Sequence, residues 1–170
     1  EEKSLNNKAL EEKISNEINN TKSSSVSNKI KNLTKEIEYV TTNKIGDKFK
    51  IYAKFGKTNI KDDNVLDLEN VNGTISSDNR SEIYISSDKA KYDYSNQNSK
   101  FYNNVNIKYD KKLITCDTLE LSISENTAIA YGNVVILDEK SSIRAQTIVL
   151  NLLTKDMSIN SKNKVKIFSQ

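Results

Sequence analysis

The chain has 170 residues and carries 26 Lys+Arg against 23 Asp+Glu, a net charge of +3. That is enough for one domain of ordinary size, and the balance is too even for a strongly basic nucleic-acid binder. With no His, no Pro, no Trp and a single Cys, it excludes a His-based nucleophile and an internal disulfide, and argues against a zinc site. It has no run of about eighteen apolar residues that would cross a membrane as a helix.

Residues 1–38 are Glu, Lys, Asn and Ser with thinly spread apolar positions, and their seven Lys balance seven Glu. Leu10, Ile14 and Ile18, then Val26, Ile30, Leu33 and Ile37, recur at helical spacing. Between them lies Thr21-Lys22-Ser23-Ser24-Ser25, a poor helix former. The segment reads as a polar tether, helical or disordered, with a partner-binding helix as the alternative. Because the sequence begins with Glu1 rather than Met, a further N-terminal piece is expected upstream.

From Tyr39 the apolar period becomes two. Phe49, Ile51 and Ala53 alternate with Lys48, Lys50, Tyr52 and Lys54, and Ile83 and Ile85 follow the same rule. Phe101, Val105, Ile107 and Tyr109 share one face, against Tyr102, Asn104, Asn106 and Lys108 on the other. This is the pattern of half-buried antiparallel strands. Short polar clusters at 95–98, 110–112, 124–126, 138–140 and 154–156 punctuate it, which predicts a meander of hairpins over 39–170.

A repeat of 29 residues underlies the meander. It relates Ile85, Ile114 and Ile143; Ser87, Cys116 and Ala145; Asp88, Asp117 and Gln146; Ala90, Leu119 and Ile148; Tyr92, Leu121 and Leu150. The second half of the unit relates Phe101 to Ala130, Asn104 to Asn133, Val105 to Val134 and Ile107 to Ile136. A weaker copy lies 34 residues earlier, with Ile51 against Ile85 and Val71 against Val105. Each unit is two long strands. In the first the apolar phase slips across Asp117, since Cys116 and Leu119 are three apart, and a slip keeps both side chains on one face only if the chain bulges or bends. The second has its own candidate corners at Asn103-Asn104 and Gly132-Asn133. Bent strands stacked side by side make two facing walls, and the inner rows then line a continuous apolar trough. A plain core is the alternative reading of the same rows.

Other candidates are weaker. Asp62-Asp63 and Asp88 match no calcium-loop spacing and suit turns. Cys116 shares a small inner slot with Ser87 and Ala145, which reads as packing rather than nucleophilic chemistry. The basic stretch Lys48, Lys50, Lys54 and Lys57 reads as a solvated strand face, and the many Tyr as strand formers. No catalytic group, metal or cofactor is expected.

The run Ile83-Tyr-Ile-Ser-Ser-Asp-Lys-Ala-Lys-Tyr-Asp93 with Phe101-Tyr-Asn-Asn-Val-Asn-Ile107 resembles the repeat of the OstA-like lipopolysaccharide-transport proteins. It recurs as Cys116-Asp-Thr-Leu-Glu-Leu121 with Tyr131-Gly-Asn-Val-Val-Ile136, and in degraded form as Ala145-Gln-Thr-Ile-Val-Leu150. The opening Gly46-Asp-Lys-Phe-Lys-Ile-Tyr-Ala53 and the closing Asn163-Lys-Val-Lys-Ile167 resemble the LptC family. The resemblance covers roughly 39–170 and implies a twisted open β-jellyroll, or β-taco, of repeated antiparallel bent strands. It implies a non-enzymatic periplasmic protein of a Gram-negative bacterium, anchored to the inner membrane by an N-terminal segment. Such a protein accepts lipopolysaccharide from an LptB-LptF-LptG transporter and passes it to an LptA-like protein.

On this reading the acyl chains of lipid A lie against Ile51, Ala53, Ile85, Ala90, Tyr92, Phe101, Val105, Ile107, Ile114, Leu119, Leu121, Val134, Ile136, Ile148 and Leu150. The end strand Val165, Lys166, Ile167 and Phe168 offers its edge to the partner. An LptA-like soluble bridge and a structural or adhesive β-repeat with a dry core are the alternatives.

Overall fold

The computed structural model describes residues 33–78, 80–154, 156–160 and 166–169. The expected tether up to residue 32, and Val165, lie outside the described residues. Ten strands follow one another: β1 (Thr34–Thr42), β2 (Lys48–Thr58), β3 (Val65–Ser77), β4 (Arg80–Asp93), β5 (Asn98–Tyr109), β6 (Lys112–Ser122), β7 (Thr127–Asp138), β8 (Ser141–Asn151), β9 (Met157–Asn160) and β10 (Lys166–Ser169). All belong to one antiparallel sheet, in which each strand from β1 to β8 pairs with its neighbours in sequence. β9 and β10 share the far edge of β8: β9 covers Thr147 to Leu150, and β10 covers Ser141 to Arg144. The fold is all-β, an open twisted jellyroll.

Strand structure begins at Thr34, five residues before the boundary expected at Tyr39. Thr34–Thr42 is rich in β-branched and aromatic residues, and it finds a ready ladder on β2, from Thr34 opposite Gly56 to Thr42 opposite Lys48. Ile37, which continues a helical spacing in the sequence, instead packs against the sheet's core. Tertiary pairing overrides a sparse local pattern here.

The strands bend near their middles, and the register shows how. Phe101 pairs with Leu119 and Val105 with Cys116, so three residues of β5 face two of β6. The same happens where Ala130 and Val134 of β7 face Ile148 and Ala145 of β8. The extra residue therefore sits in β5 and β7, not in the strands where the apolar phase slips. It is accommodated by left-handed backbone at Asn103 (φ +62°), Asn104 (+55°), Gly132 (+75°) and Asn133 (+48°). Asn and Gly enter this region most readily. Asn70 in β3 (φ +53°) marks the weaker first copy.

A side-chain bond closes each corner. Asn104 Nδ2 donates to Asp88 Oδ2 at 2.6 Å, and one repeat later Asn133 Nδ2 donates to Asp117 Oδ2 at 2.9 Å. The repeated Asp and Asn are thus the two sides of the fold line. At Gly132 an added Cβ would lie 2.4 Å from Asp117 Oδ2, so this position needs Gly for space as well as for its φ.

Bending brings the two ends of the strands together. Wall A is the set of strand halves beside the turns after β1, β3, β5 and β7; wall B is the set beside the turns after β2, β4, β6 and β8. The walls do not meet strand for strand. Tyr39 of β1 stacks on Tyr92 of β4 with ring centroids 5.1 Å apart, and Thr41 shares a hydrogen bond with the same phenol. The A half of β1 therefore faces the B half of β4, three strands further along, an offset in keeping with the right-handed twist of a sheet.

Candidate functional site: an apolar trough between two walls

The inner rows of both walls merge into one cluster. Ile51 and Ala53 enter it from β2, Ile85, Ala90 and Tyr92 from β4, and Phe101, Val105 and Ile107 from β5. Leu119 and Leu121 come from β6, Val134 and Ile136 from β7, and Ile148 from β8, all buried. Ile114 and Leu150 are half-buried against the same cluster. The structure therefore brings all fifteen expected lining residues to one interior face. The strands achieve this by alternation: Lys100, Glu120 and Ile129 form the outward row beside inward Phe101, Leu119 and Ala130.

Several inner residues lie outside the fifteen expected to line the trough, though Val71 and Ala130 hold repeat positions. Phe49, Leu68, Val71, Ile75, Ile83, Ala128 and Ala130 belong to the same cluster. Phe49 and Ile83 follow the period-two rule and were legible. β3 was hidden by Asn70 and Gly73, which break its alternation. Gly73 makes room for Phe101, whose ring edge would lie 3.3 Å from a Cβ there. Ile123 and Leu152 extend the cluster into turn residues, where no strand pattern points to them.

Packing is not uniform along the stack. At the N-terminal end Phe49, Ile51, Ala53 and Val71 are each 1% exposed. Towards the C-terminal end Ile114, Ile143, Ala145, Leu150 and Ile159 are only partly buried. Here a cavity of about 50 Å³ lies between the walls. Ile75, Ile83, Ile85, Ile107 and Ile114 line it from wall A; Leu119, Leu121, Ala128, Ala130, Ile148 and Leu150 line it from wall B, with Leu152 and Met157 beyond. A larger hollow of about 320 Å³ lies on the outside of wall B and is lined by Lys91, Asp93, Lys100, Glu120 and Thr127 among others. Val65, Leu121 and Ile129 also line it, so its lining is mixed, whereas the smaller cavity is lined by apolar side chains throughout and is the one the trough residues define.

Electrostatics within the interior are sparse. Burial raises the Tyr92 phenol above its ordinary pKa. Burial, with a smaller contribution from the Asp117 charge, pushes the Cys116 thiol up to about 11. Cys116 is therefore a protonated packing residue, and thiolate chemistry is suppressed. Ser99, 3% exposed, has a hydroxyl without a protein hydrogen-bond partner; it is opposite Tyr92 and Leu121 in the ladder. Outside, Lys100 Nζ contacts Glu120 at 2.8 Å, and Tyr131 Oη donates to the same carboxylate at 2.8 Å. Lys100 first, then Tyr131, holds the Glu120 carboxyl below its usual value. Among the described residues no three Cys, Asp or Glu side chains converge as a metal site.

Lys166, Ile167 and Phe168 lie in β10, which ends the sheet and, among the described strands, has β8 as its one neighbour. The opposite edge of the sheet is β1.

A model of the family described as "Lipopolysaccharide-assembly, LptC-related" matches residues 6–167. The chain belongs to the LptC family. Among solved structures, the chain's fold is similar to the crystal structure of LptH from Pseudomonas aeruginosa, described as the LptA homologous periplasmic component of the conserved lipopolysaccharide transport device. The two are 8% identical with a TM-score of 0.53, over 72% of this chain and 94% of that one, a likeness of fold. A search of curated proteins finds no match. Membership of the LptC family makes the chain a periplasmic component of lipopolysaccharide transport.

Proposed function

We propose that this domain holds the acyl chains of lipopolysaccharide between its two walls, accepting the lipid from an LptB-LptF-LptG transporter and passing it to an LptA-like bridge. The observation that carries the reading is the continuous apolar interior from β2 to β9. A chain of about a dozen carbons exposed to water costs on the order of 10 kcal/mol, at about 0.8 kcal/mol per methylene. Lipid A has several such chains, so an apolar channel is the economical way across an aqueous compartment. The domain acts as a carrier, not a catalyst. Direction then comes from the transporter, because a passive site only equilibrates its ligand. An inner-membrane anchor upstream of Glu1 would hold the domain near the donor.

The offset of the walls supports a partner at the C-terminal end. At the same offset the A halves of β7 and β8 would face strands three further along, beyond the end of this sheet. A second jellyroll added at β10 by strand pairing would supply them and extend the trough.

Photo-crosslinking tests the reading. A photoreactive residue at Phe101 or Leu121 should capture lipopolysaccharide in cells, and one at outward Asn106 or Glu120 should not. Equal capture at inner and outer positions, or none at all, would remove the groove and leave a structural β-repeat with a dry core.

A further inference from the structure

One side-chain contact joins turns of opposite walls. Asn43, at the end of β1, donates from Nδ2 to Oδ1 of Asn126 in the turn after β6, at 3.0 Å and 83 residues away. The Asn43 amide and the Asn126 backbone are both held in place, and Asn43 Nδ2 also reaches Asp47 Oδ2 at 3.4 Å. Asn43 Oδ1 already accepts the N–H groups of Ile45 (3.1 Å) and Asp47 (2.9 Å), which aims its Nδ2 outward. Asn126 is held by left-handed backbone (φ +52°). Its N–H donates to the Ile123 carbonyl, and its own carbonyl accepts the Leu152 N–H at 2.7 Å. Asn126 thus ties together the turns after β1, β6 and β8. Behind it, Tyr39 and Thr41 hold β1 against Tyr92.

The interior behind this contact is nearly full. A cavity of about 50 Å³ has room for only a few water molecules, at about 10–15 Å³ each, far short of an acyl chain. The walls must part before a chain enters, and parting them separates Asn43 from Asn126.

We propose that Asn43 and Asn126 form a clasp by which the β1–β2 hairpin holds the mouth of the trough shut, so that lipid loading proceeds only as the clasp releases. The inference rests on the lipid-carrier reading. It assigns the N-terminal hairpin the role of a strap, and the looser C-terminal half the role of the compartment that fills first. Since one hydrogen bond is at stake, its loss should change the open population about threefold to tenfold.

The experiment uses the full chain with a photoreactive residue at Leu121, Cys116→Ser, and the pair Asn43→Cys and Asn126→Cys. A short bis-methanethiosulfonate reagent bridges the two thiols, and dithiothreitol removes the bridge. Purified lipopolysaccharide is the probe, mass spectrometry verifies the bridge, and circular dichroism verifies the sheet. Capture by the bridged protein should fall at least about tenfold and recover on reduction. In a separate pair of proteins, Asn43→Ala and Asn126→Ala should each load about threefold to tenfold faster than the parent. Bridged, folded protein that loads as fast as its reduced form would overturn the clasp. So would alanine variants that load at the parent rate. If the parent itself captures no lipopolysaccharide, the carrier reading fails first, and the arms tell the two failures apart.

Discussion

Replacing Gly132 by Ala tests whether the corners set the fold. The backbone there has φ +75°, and an L-residue in the left-handed region costs roughly 1–2 kcal/mol. The new Cβ would also lie 2.4 Å from Asp117 Oδ2 and 2.9 Å from its Cβ and Cγ. Asp117 must swing away, and its 2.9 Å bond to Asn133 is lost, worth a further 0.5–1.5 kcal/mol or so. Gly132→Ala should therefore destabilise by about 1.5–3.5 kcal/mol. In an Asp117→Ala background only the Cβ contact at 2.9 Å remains and no side-chain bond is left to lose, so the same change should cost less, nearer the backbone share of about 1–2 kcal/mol. The four proteins make a double-mutant cycle, read by urea unfolding at constant m-value, with an expected coupling near 1 kcal/mol. Additivity within about 0.3–0.5 kcal/mol would refute the claim that Asp117 packs on Gly132 at the fold line.

Three further outcomes are expected. Successive N–H groups of a strand point to opposite sides, so of Lys166→Pro and Ile167→Pro one strikes the ladder with β8 and the other the free edge. Both should weaken pull-down of an LptA-like protein, Lys166→Ala should be mild, and normal binding by both folded proline variants would remove the edge reading. Cys116, with its thiol raised to about 11, should react with a thiol reagent at pH 8 orders of magnitude more slowly in native protein than in urea. Because the unfolded thiol ionises first, near the ordinary thiol value of 9.0, this group's stabilising contribution is intact below that pH and is lost as pH rises towards 11; a flat urea midpoint between pH 8.5 and 10.5 in wild type relative to Cys116→Ser would contradict it. Ala130→Val places extra carbon in the about 50 Å³ cavity; at about 24 cal/mol per Å³ this stabilises by at most about 1 kcal/mol while lowering lipid capture, and a rise in capture would be the contrary result.

The repeat was legible because it is written twice, once in apolar phase and once in Asp and Asn at fixed offsets. Asp88 read alone looked like a stray turn residue; its meaning appears only beside Asn104, sixteen residues on, where it closes the corner. The location of the extra residue was half legible. The apolar phase slips in β4 and β6, but a register belongs to a pair of strands, and the strain falls on the partner that carries Asn or Gly. Abundant Asn looked like background composition, yet Asn70, Asn103, Asn104, Asn126 and Asn133 hold left-handed backbone. The three-strand offset between the walls was not legible at all. Twist accumulates over many strands and leaves no mark on any one of them, so neither the stacking of Tyr39 on Tyr92 nor the meeting of Asn43 with Asn126, from turns five strands apart, could be read from either partner.

The full interior constrains how a carrier of this kind can work. Parting the walls without lipid would bare apolar surface at about 25 cal/mol per Å², so exposing roughly 400 Å² costs about 10 kcal/mol, comparable to the whole stability of a typical domain. An empty, open trough is therefore a rare state. Opening becomes affordable only if acyl chains cover the walls as they separate, exchanging protein–protein contact for protein–lipid contact at little net cost in apolar burial. The gradient of packing gives that exchange a place to begin. Ile114, Ile143, Ala145 and Leu150 are already partly bare, whereas Phe49, Ile51 and Val71 are sealed. Chains should wedge in beside Ile114 and Leu150 and advance towards β2 only as far as the β1 contacts yield. A photoreactive residue at Ile51 should then capture lipid later and less than one at the partly buried Leu150. Simultaneous capture at both would mean that the trough opens as a whole, and that the difference in burial between its two ends has no bearing on loading.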